Sequence, residues 1–302
     1  MDAQGLGVWD SRDLAALLRL TPTAEGRFRS RYASANARGT VFGGQLLGHA
    51  VMAASMTVPE GRDASALQFM FMQSAEPERP IDYEVTVLQE GKRFASRHVR
   101  GIQAATATAG RRVVLDAQVS FALPLDGPAH AAPSRAGGVD PETLPRMQDL
   151  PADVADAVWR TVGYPLGSSA LDLRVGDPEQ GLGLGAPTAS LGFWLRTLDP
   201  LPDDAMLHAA AFAYLSDWWL NFASVGIHVP QLLRDGERLH VASLNHAIWF
   251  HRPLRADRWL YFDVRSPSAG RGRGLSIATV YDLDGVLVAS ATQESLMTPG
   301  QL

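Results

Sequence analysis

Apolar and small residues recur at Leu46, Leu47, Ala50, Val51, Ala53 and Ala54, the spacing of one helix face, and predict a helix over Gly43–Met56. The period then changes. Ile81, Tyr83, Val85 and Val87 alternate with Asp82, Glu84 and Thr86, the pattern of a half-buried strand. A turn around Gly91 follows, then strands over Phe94–Gln103 and Val113–Leu123. The second part of the chain repeats the order. A helix is expected from about Asp204 to Phe222, carried by Leu207, Ala211, Tyr214, Leu215, Trp218 and Phe222. Strands are expected at Val241–His251, Trp259–Arg265, Leu275–Tyr281 and Val286–Met297, the last two joined by the turn-forming pair Asp284-Gly285.

The two runs of elements share a spacing. Phe71, Tyr83, Val85 and Gly91 are separated by the same intervals as Phe250, Phe262, Val264 and Gly270. Between them lies a stretch holding Pro124, Pro128, Pro133, Pro141, Pro145 and Pro151, with Gly137-Gly138 inside it. Proline lacks the amide donor and restricts the residue before it, so no regular element runs through, apart from a short helix near Asp153–Arg160. The predicted organisation is an α+β unit over residues 1–123, a linker over 124–160 and a second copy of the unit over 161–302. A long helix followed by an antiparallel meander implies a sheet wrapped around that helix, which is the hotdog fold, here in tandem as a double hotdog.

With 302 residues, 46% hydrophobic and 20% charged, the chain has globular composition and ample length for two units. The net charge of −5 gives no basic footprint for nucleic acid. Cysteine is absent, which removes disulfides, thiolate metal sites and cysteine nucleophiles, and no metal or cofactor is called for. Lys92 is the only lysine, and no phosphate loop precedes it. No Gly-x-Ser-x-Gly elbow or His-Glu-x-x-His helix occurs, and Gly181-x-Gly183-x-x-Ala186 lacks the strand and helix that a dinucleotide loop requires. No targeting signal is visible, so a cytoplasmic location is expected. Asp217 is the only charged residue between Asp204 and Arg234. A mid-membrane carboxylate costs about 2.5–3.5 kcal/mol, so this stretch is read as a buried helix and no membrane insertion is expected.

Three residues stand out chemically. Asp217 sits among Tyr214, Leu215, Trp218 and Trp219, where a buried carboxylate needs donors or a raised pKa; a functional group and a structural one bonded to a loop both meet that need. Gln293 shares an apolar strand face with Ala289, Ala291, Ser295 and Met297, and its amide needs partners there. Ser243 lies, by simple alternation, on one face with Asn245, Ala247 and Trp249. A basic segment, Arg252–Arg273, sets six arginines against Asp257 and Asp263, and its glycine-rich loop from Ser266 to Gly274 suits a phosphate-bearing ligand.

Asn245-His-Ala-Ile-Trp-Phe-His-Arg-Pro-Leu254, Ser266-Pro-Ser-Ala, and Asp284-Gly-Val-Leu-Val-Ala-Ser with Gln293-Glu294 resemble the acyl-CoA thioesterase II family of double hotdogs; Val41-Phe-Gly-Gly-Gln45 resembles its first-half helix start. The resemblance implies hydrolysis of fatty acyl-CoA to free fatty acid and CoA, without metal or covalent intermediate. It implies that Asp217, Gln293 and Ser243 are catalytic, Ser243 standing where the family has Thr. Gly44 and Gln45 at the helix start, with Ser266, Arg271 and Arg273 in the basic loop, are candidate substrate-binding residues. An acyl-CoA is the expected partner, and a homo-oligomer, dimer or higher, the expected assembly. Two departures stand against the family pattern: Asn245 replaces a common Asp, and Leu67–Ala75 lacks the usual His and Pro-Gly. They keep open a non-catalytic acyl-CoA binding protein on the same scaffold. A hotdog hydratase would need Asp-x-Asn-Pro-x-His, which is missing.

Overall fold

The computed structural model describes residues 6–104, 110–162, 168–177, 182, 184 and 188–300. Gly181, Gly183 and Ala186 of the half-formed dinucleotide motif lie outside them. The strands are β1 (Gly7–Val8), β2 (Leu20–Ala24), β3 (Arg27–Ser30), β4 (Tyr32–Ala33), β5 (Asp63–Phe71), β6 (Ile81–Glu90), β7 (Phe94–Ala104), β8 (Arg111–Ala122), β9 (Leu171–Arg174), β10 (Ser190–Thr197), β11 (Leu239–Phe250), β12 (Leu260–Gly270), β13 (Arg273–Tyr281) and β14 (Leu287–Pro299). The helices used below are α1 (Leu14–Leu18), α2 (Gly43–Ser55), α3 (Ala152–Val162) and α4 (Ala205–Ser216).

Twelve strands form one sheet in the order β2-β3-β6-β7-β8-β5-β11-β14-β13-β12-β10-β9. The halves meet where β5 and β11 pair antiparallel, Met70 opposite Asn245 and Ala66 opposite Trp249. Outward from that seam the order β5-β8-β7-β6 on one side is matched by β11-β14-β13-β12 on the other, so the repeat read from spacing is a two-fold arrangement about the seam. The sheet wraps α2 and α4, which is the double hotdog. The two helices run antiparallel and very close: a Cβ on Gly44 would meet the Tyr214 carbonyl oxygen at 2.5 Å, and one on Gly48 the Ala210 oxygen at 2.8 Å. Both helices are buried nearly all round, because each is covered by the other helix and by the sheet.

Several expectations need correction. The second helix ends at Ser216 rather than Phe222. Asp217 caps it, the Trp218 amide bonds back to Leu215 O, and Trp219 is left-handed at φ +69°, so the ladder cannot continue. Ser266–Gly274 is not a loop. β12 runs to Gly270, and Arg271 and Gly272, both at positive φ, make a two-residue hairpin to Arg273. The pairs β2–β3 and β9–β10, which extend the sheet at its two ends, had no clear alternation to announce them. The apolar run after Asp204 forms α4 and then short helices, a buried one over Phe222–Val225 and a largely exposed one over Val229–Asp235, and no helix among the described residues is long and apolar enough to cross a membrane.

Candidate active site

Asp217, Ser243 and Gln293 come together on the inner face of the sheet. Asp217 arrives at the end of α4, Ser243 near the start of β11 and Gln293 in the middle of β14. Gln293 Nε2 donates to Asp217 Oδ1 at 2.5 Å and to Ser243 Oγ at 2.7 Å; Ser243 Oγ donates to the same Asp217 oxygen at 3.3 Å. Gln293 Oε1 is buried without a protein partner.

A bulge places Ser243. On β11 the pairing with β14 shifts between Ser243, opposite Ser295, and Asn245, opposite Glu294. Leu244 is the extra residue, and simple alternation fails across it. Ser243 therefore faces inward with Val241. Asn245 faces outward, where its amide donates to Glu294 Oε2 at 3.0 Å. The expectation that Ser243 and Asn245 share a face is thereby corrected.

The environment of Asp217 is set by both halves of the molecule. Its carboxylate sits against the N-terminal turn of α2, where the Gly44 amide donates to it. A Cβ on Gly43 would lie 2.5 Å from Asp217 Oδ2. Phe42, the residue before α2, packs edge-on against Tyr214 and Trp218 with ring centroids 5.1 and 5.5 Å apart. Burial pushes the Asp217 pKa up to about 7, against the lowering by the Gln293, Ser243 and Gly44 hydrogen bonds. A carboxylate with that pKa is half ionised near neutrality, the poise of a general base.

Asp217, Ser243 and Gly43 line a cavity of about 670 Å³ that runs outward between the start of β11 and the segment before α2. Its wall also includes Tyr214, Phe71 and Trp218, an apolar surface beside the polar cluster. Of the residues expected to bind substrate, Gly44 reaches the Asp217 carboxylate. Gln45 is fully buried and spends its amide on backbone, accepting from Ser34 N at 2.7 Å and donating to Tyr32 O at 2.8 Å. Ser266, Arg271 and Arg273 do not line the cavity; Arg273 pairs instead with Glu294 at 3.4 Å. Gly43, Arg38 and His240, which do line it, were not singled out by sequence reasoning. The Gly43-Gly44 pair at a helix start was the visible signal, since two glycines there cost helix stability unless something must approach closely.

The first half has the same backbone but not the same chemistry. β5 carries a matching bulge at Ser65, which puts Ala64 where β11 has Ser243. Val119 lies on β8 where β14 has Gln293, and Met56 caps α2 as Asp217 caps α4. Opposite Val119 stands Arg97, as Ser276 stands opposite Gln293. The Arg97 side chain is 1% exposed and donates to Thr57 Oγ1, Thr57 O and Gln89 O at 2.9, 2.9 and 3.0 Å, with Glu90 as its counter-ion. Among the described residues the mirror position thus holds a structural plug.

Comparisons with known proteins agree across both halves. A family model described as the acyl-CoA thioesterase N-terminal domain matches residues 32–122, and one described as the acyl-CoA thioesterase C-terminal domain matches residues 141–297. The chain is 27% identical over 292 residues to mouse acyl-coenzyme A thioesterase 8, covering 94% of this chain and 88% of that protein. It is 28% identical over 271 residues to acyl-CoA thioesterase 2 of Haemophilus influenzae, covering 85% and 87%. The crystal structure of an acyl-CoA thioesterase II from Mycobacterium marinum superposes with a TM-score of 0.75 at 28% identity, covering 95% of this chain and 99% of that one.

Proposed function

The chain belongs to the acyl-CoA thioesterase family and is a thioester hydrolase, and from that premise we propose that Asp217, Ser243 and Gln293 activate one water for attack on a fatty acyl-CoA. The observation that carries this reading is the convergence of Ser243 Oγ and Gln293 Nε2 on one oxygen of a carboxylate whose pKa is pushed up to about 7.

The chemistry follows from the donors and acceptors. Gln293, from behind the cavity wall, and Ser243 fix the Asp217 carboxylate, and the attacking water is held at Asp217 and Ser243, which line the cavity. Asp217 takes a proton from this water as the water oxygen bonds to the thioester carbon. The carbonyl oxygen becomes an oxyanion, and the N-terminal end of α2, with Gly43 in the cavity wall, presents the positive end of a helix dipole to it. Collapse of this intermediate breaks the carbon–sulfur bond. A CoA thiol has a pKa near the ~8.5 of cysteine, so it leaves as a good leaving group and recovers the proton from Asp217 or solvent. The products are a fatty acid and CoA, and no covalent enzyme intermediate forms.

Thiol release from a panel of short to long acyl-CoA esters tests this, with wild type and Asp217→Asn side by side. The cysteine-free chain adds no thiol background. General-base loss is worth about 10²–10⁴-fold in rate, so a folded Asp217→Asn protein should fall by that much. An Asp217→Asn protein as active as wild type would remove the assigned base. No release from any ester by folded wild type would favour a non-catalytic acyl-CoA binding protein.

A further inference from the structure

We propose that Arg38 and His240 form the anchor for the phosphate groups of the CoA moiety, at the outer end of the cavity whose inner end is Asp217. This rests on the acyl-CoA reading above and relocates the basic subsite from Arg271 and Arg273, which do not line the cavity.

Charge in the cavity wall is sparse. Among the described residues that line it, Arg38 is the only arginine or lysine and Asp217 the only acid. Arg38 is exposed, and among the described residues no carboxylate pairs with it. An exposed guanidinium left without a counter-ion in the cavity wall is a ready partner for phosphate oxygens, which its fork of donors matches.

His240 lies on the same strand as Ser243, three residues toward the start of β11, which is about 10 Å at the rise of a strand. His240 and Arg38 both line the cavity, and the imidazole is held below its usual pKa by burial first and then by the Arg38 charge. The pantetheine arm of an acyl-CoA separates its thioester from its phosphates by a comparable order of length, with the Arg38 side chain covering the remainder.

The loop that carries Arg38 is preorganised. Asn36 Oδ1 accepts the amides of Arg38 and Thr40 at 2.9 and 3.2 Å, and Asn36 Nδ2 donates to Thr40 Oγ1 at 2.8 Å. The Asn36 amide bonds Thr40 O at 2.7 Å, and Gly39 supplies a left-handed φ of 72°. Asn36, Arg38 and Thr40 all line the cavity, so the turn is fixed before any ligand arrives and less ordering is needed on binding. The same chain then passes directly into Phe42 and α2, which ties the anchor to the helix end at Asp217.

The test compares wild type, Arg38→Gln, Arg38→Lys and His240→Gln on three esters of one acyl chain: acyl-CoA, acyl-dephospho-CoA and acyl-pantetheine. Hydrogen bonds to a charged group are worth enough that Arg38→Gln should lose about tenfold in kcat/KM on acyl-CoA, mainly through KM. The wild-type preference for acyl-CoA over acyl-pantetheine should shrink toward one in Arg38→Gln and be partly kept in Arg38→Lys, with a smaller loss in His240→Gln. A preference lost already in the dephospho ester assigns the anchor to the 3′-phosphate; one lost only in the pantetheine ester assigns it to the diphosphate. An Arg38→Gln protein that keeps the wild-type preference overturns the anchor and leaves the thioesterase reading intact. If wild type hydrolyses no ester, calorimetric titration with CoA decides separately. Binding weakened by Arg38→Gln supports the anchor without hydrolysis, and binding indifferent to it, or no binding, overturns it.

Discussion

The carboxylate of Asp217 stands 2.5 Å from the point where a Cβ on Gly43 would sit, although the two residues belong to opposite halves of the chain. The close approach lets the first turn of α2 reach the carboxylate. A methyl group there also meets the Phe71 ring at 3.0 Å, so neither neighbour can yield freely. Gly43→Ala should displace the carboxylate. Misplacement by about 1 Å costs on the order of 100-fold in rate, so kcat should fall by about that factor while the melting temperature moves by only a few degrees. Steady-state kinetics beside thermal unfolding checks this, and unchanged kcat would mean that the carboxylate position is not critical.

The raised pKa of Asp217 has two consequences with opposite senses. As a base it must be ionised, so kcat/KM should rise with pH and level off above an apparent pKa of about 7. Stability should do the reverse. The folded protein holds this proton more tightly than the unfolded chain, whose carboxyl titrates at about 4, so stability is greatest below that value and declines as pH rises to 7. Three pH units correspond to on the order of 4 kcal/mol. Urea unfolding of wild type and Asp217→Asn at pH 5 and pH 8 isolates the effect, because the variant lacks this slope. Parallel slopes would show that the carboxyl titrates normally.

Ser243 both accepts from Gln293 and donates to Asp217. Ser243→Ala removes a donor that favours the charged carboxylate, so the pH–rate midpoint should move to higher pH and the rate at pH 7 should fall by on the order of tenfold. Ser243→Thr keeps the hydroxyl and should retain most activity. A midpoint unmoved in Ser243→Ala would show that the hydroxyl does not act on Asp217.

Arg97 plugs the mirror position in the first half and touches no part of the cavity. Arg97→Met keeps the apolar stem and removes the hydrogen bonds to Thr57 Oγ1, Thr57 O and Gln89 O. Hydrogen bonds from a charged group contribute about 1.5–3 kcal/mol each, so the variant should lose at least about 2 kcal/mol of stability. Its kcat should match wild type at a temperature where it is folded. A selective loss of kcat would instead tie the first half to the chemistry.

The sequence by itself determined the duplicated helix-and-meander plan, because periods of 3.6 and 2 are written directly in which positions are apolar. It also marked Asp217 and Gln293, since a carboxylate in an apolar helix and an amide on an apolar strand face each demand partners. It could not place Ser243. Alternation put Ser243 and Asn245 on one face, and only the bulge at Leu244, decided by how β11 pairs with β14, turns Ser243 inward to Asp217. Nor could it end α4 at Ser216, where capping geometry and the left-handed Trp219 override helical periodicity. The six arginines of Arg252–Arg273 drew attention by number, yet among the described residues the arginine in the cavity wall is Arg38 from the first half. Local patterns fix which residues are buried along one element. Which groups meet depends on pairing register and on two helices packed through glycines, and those are decided between segments far apart in the chain.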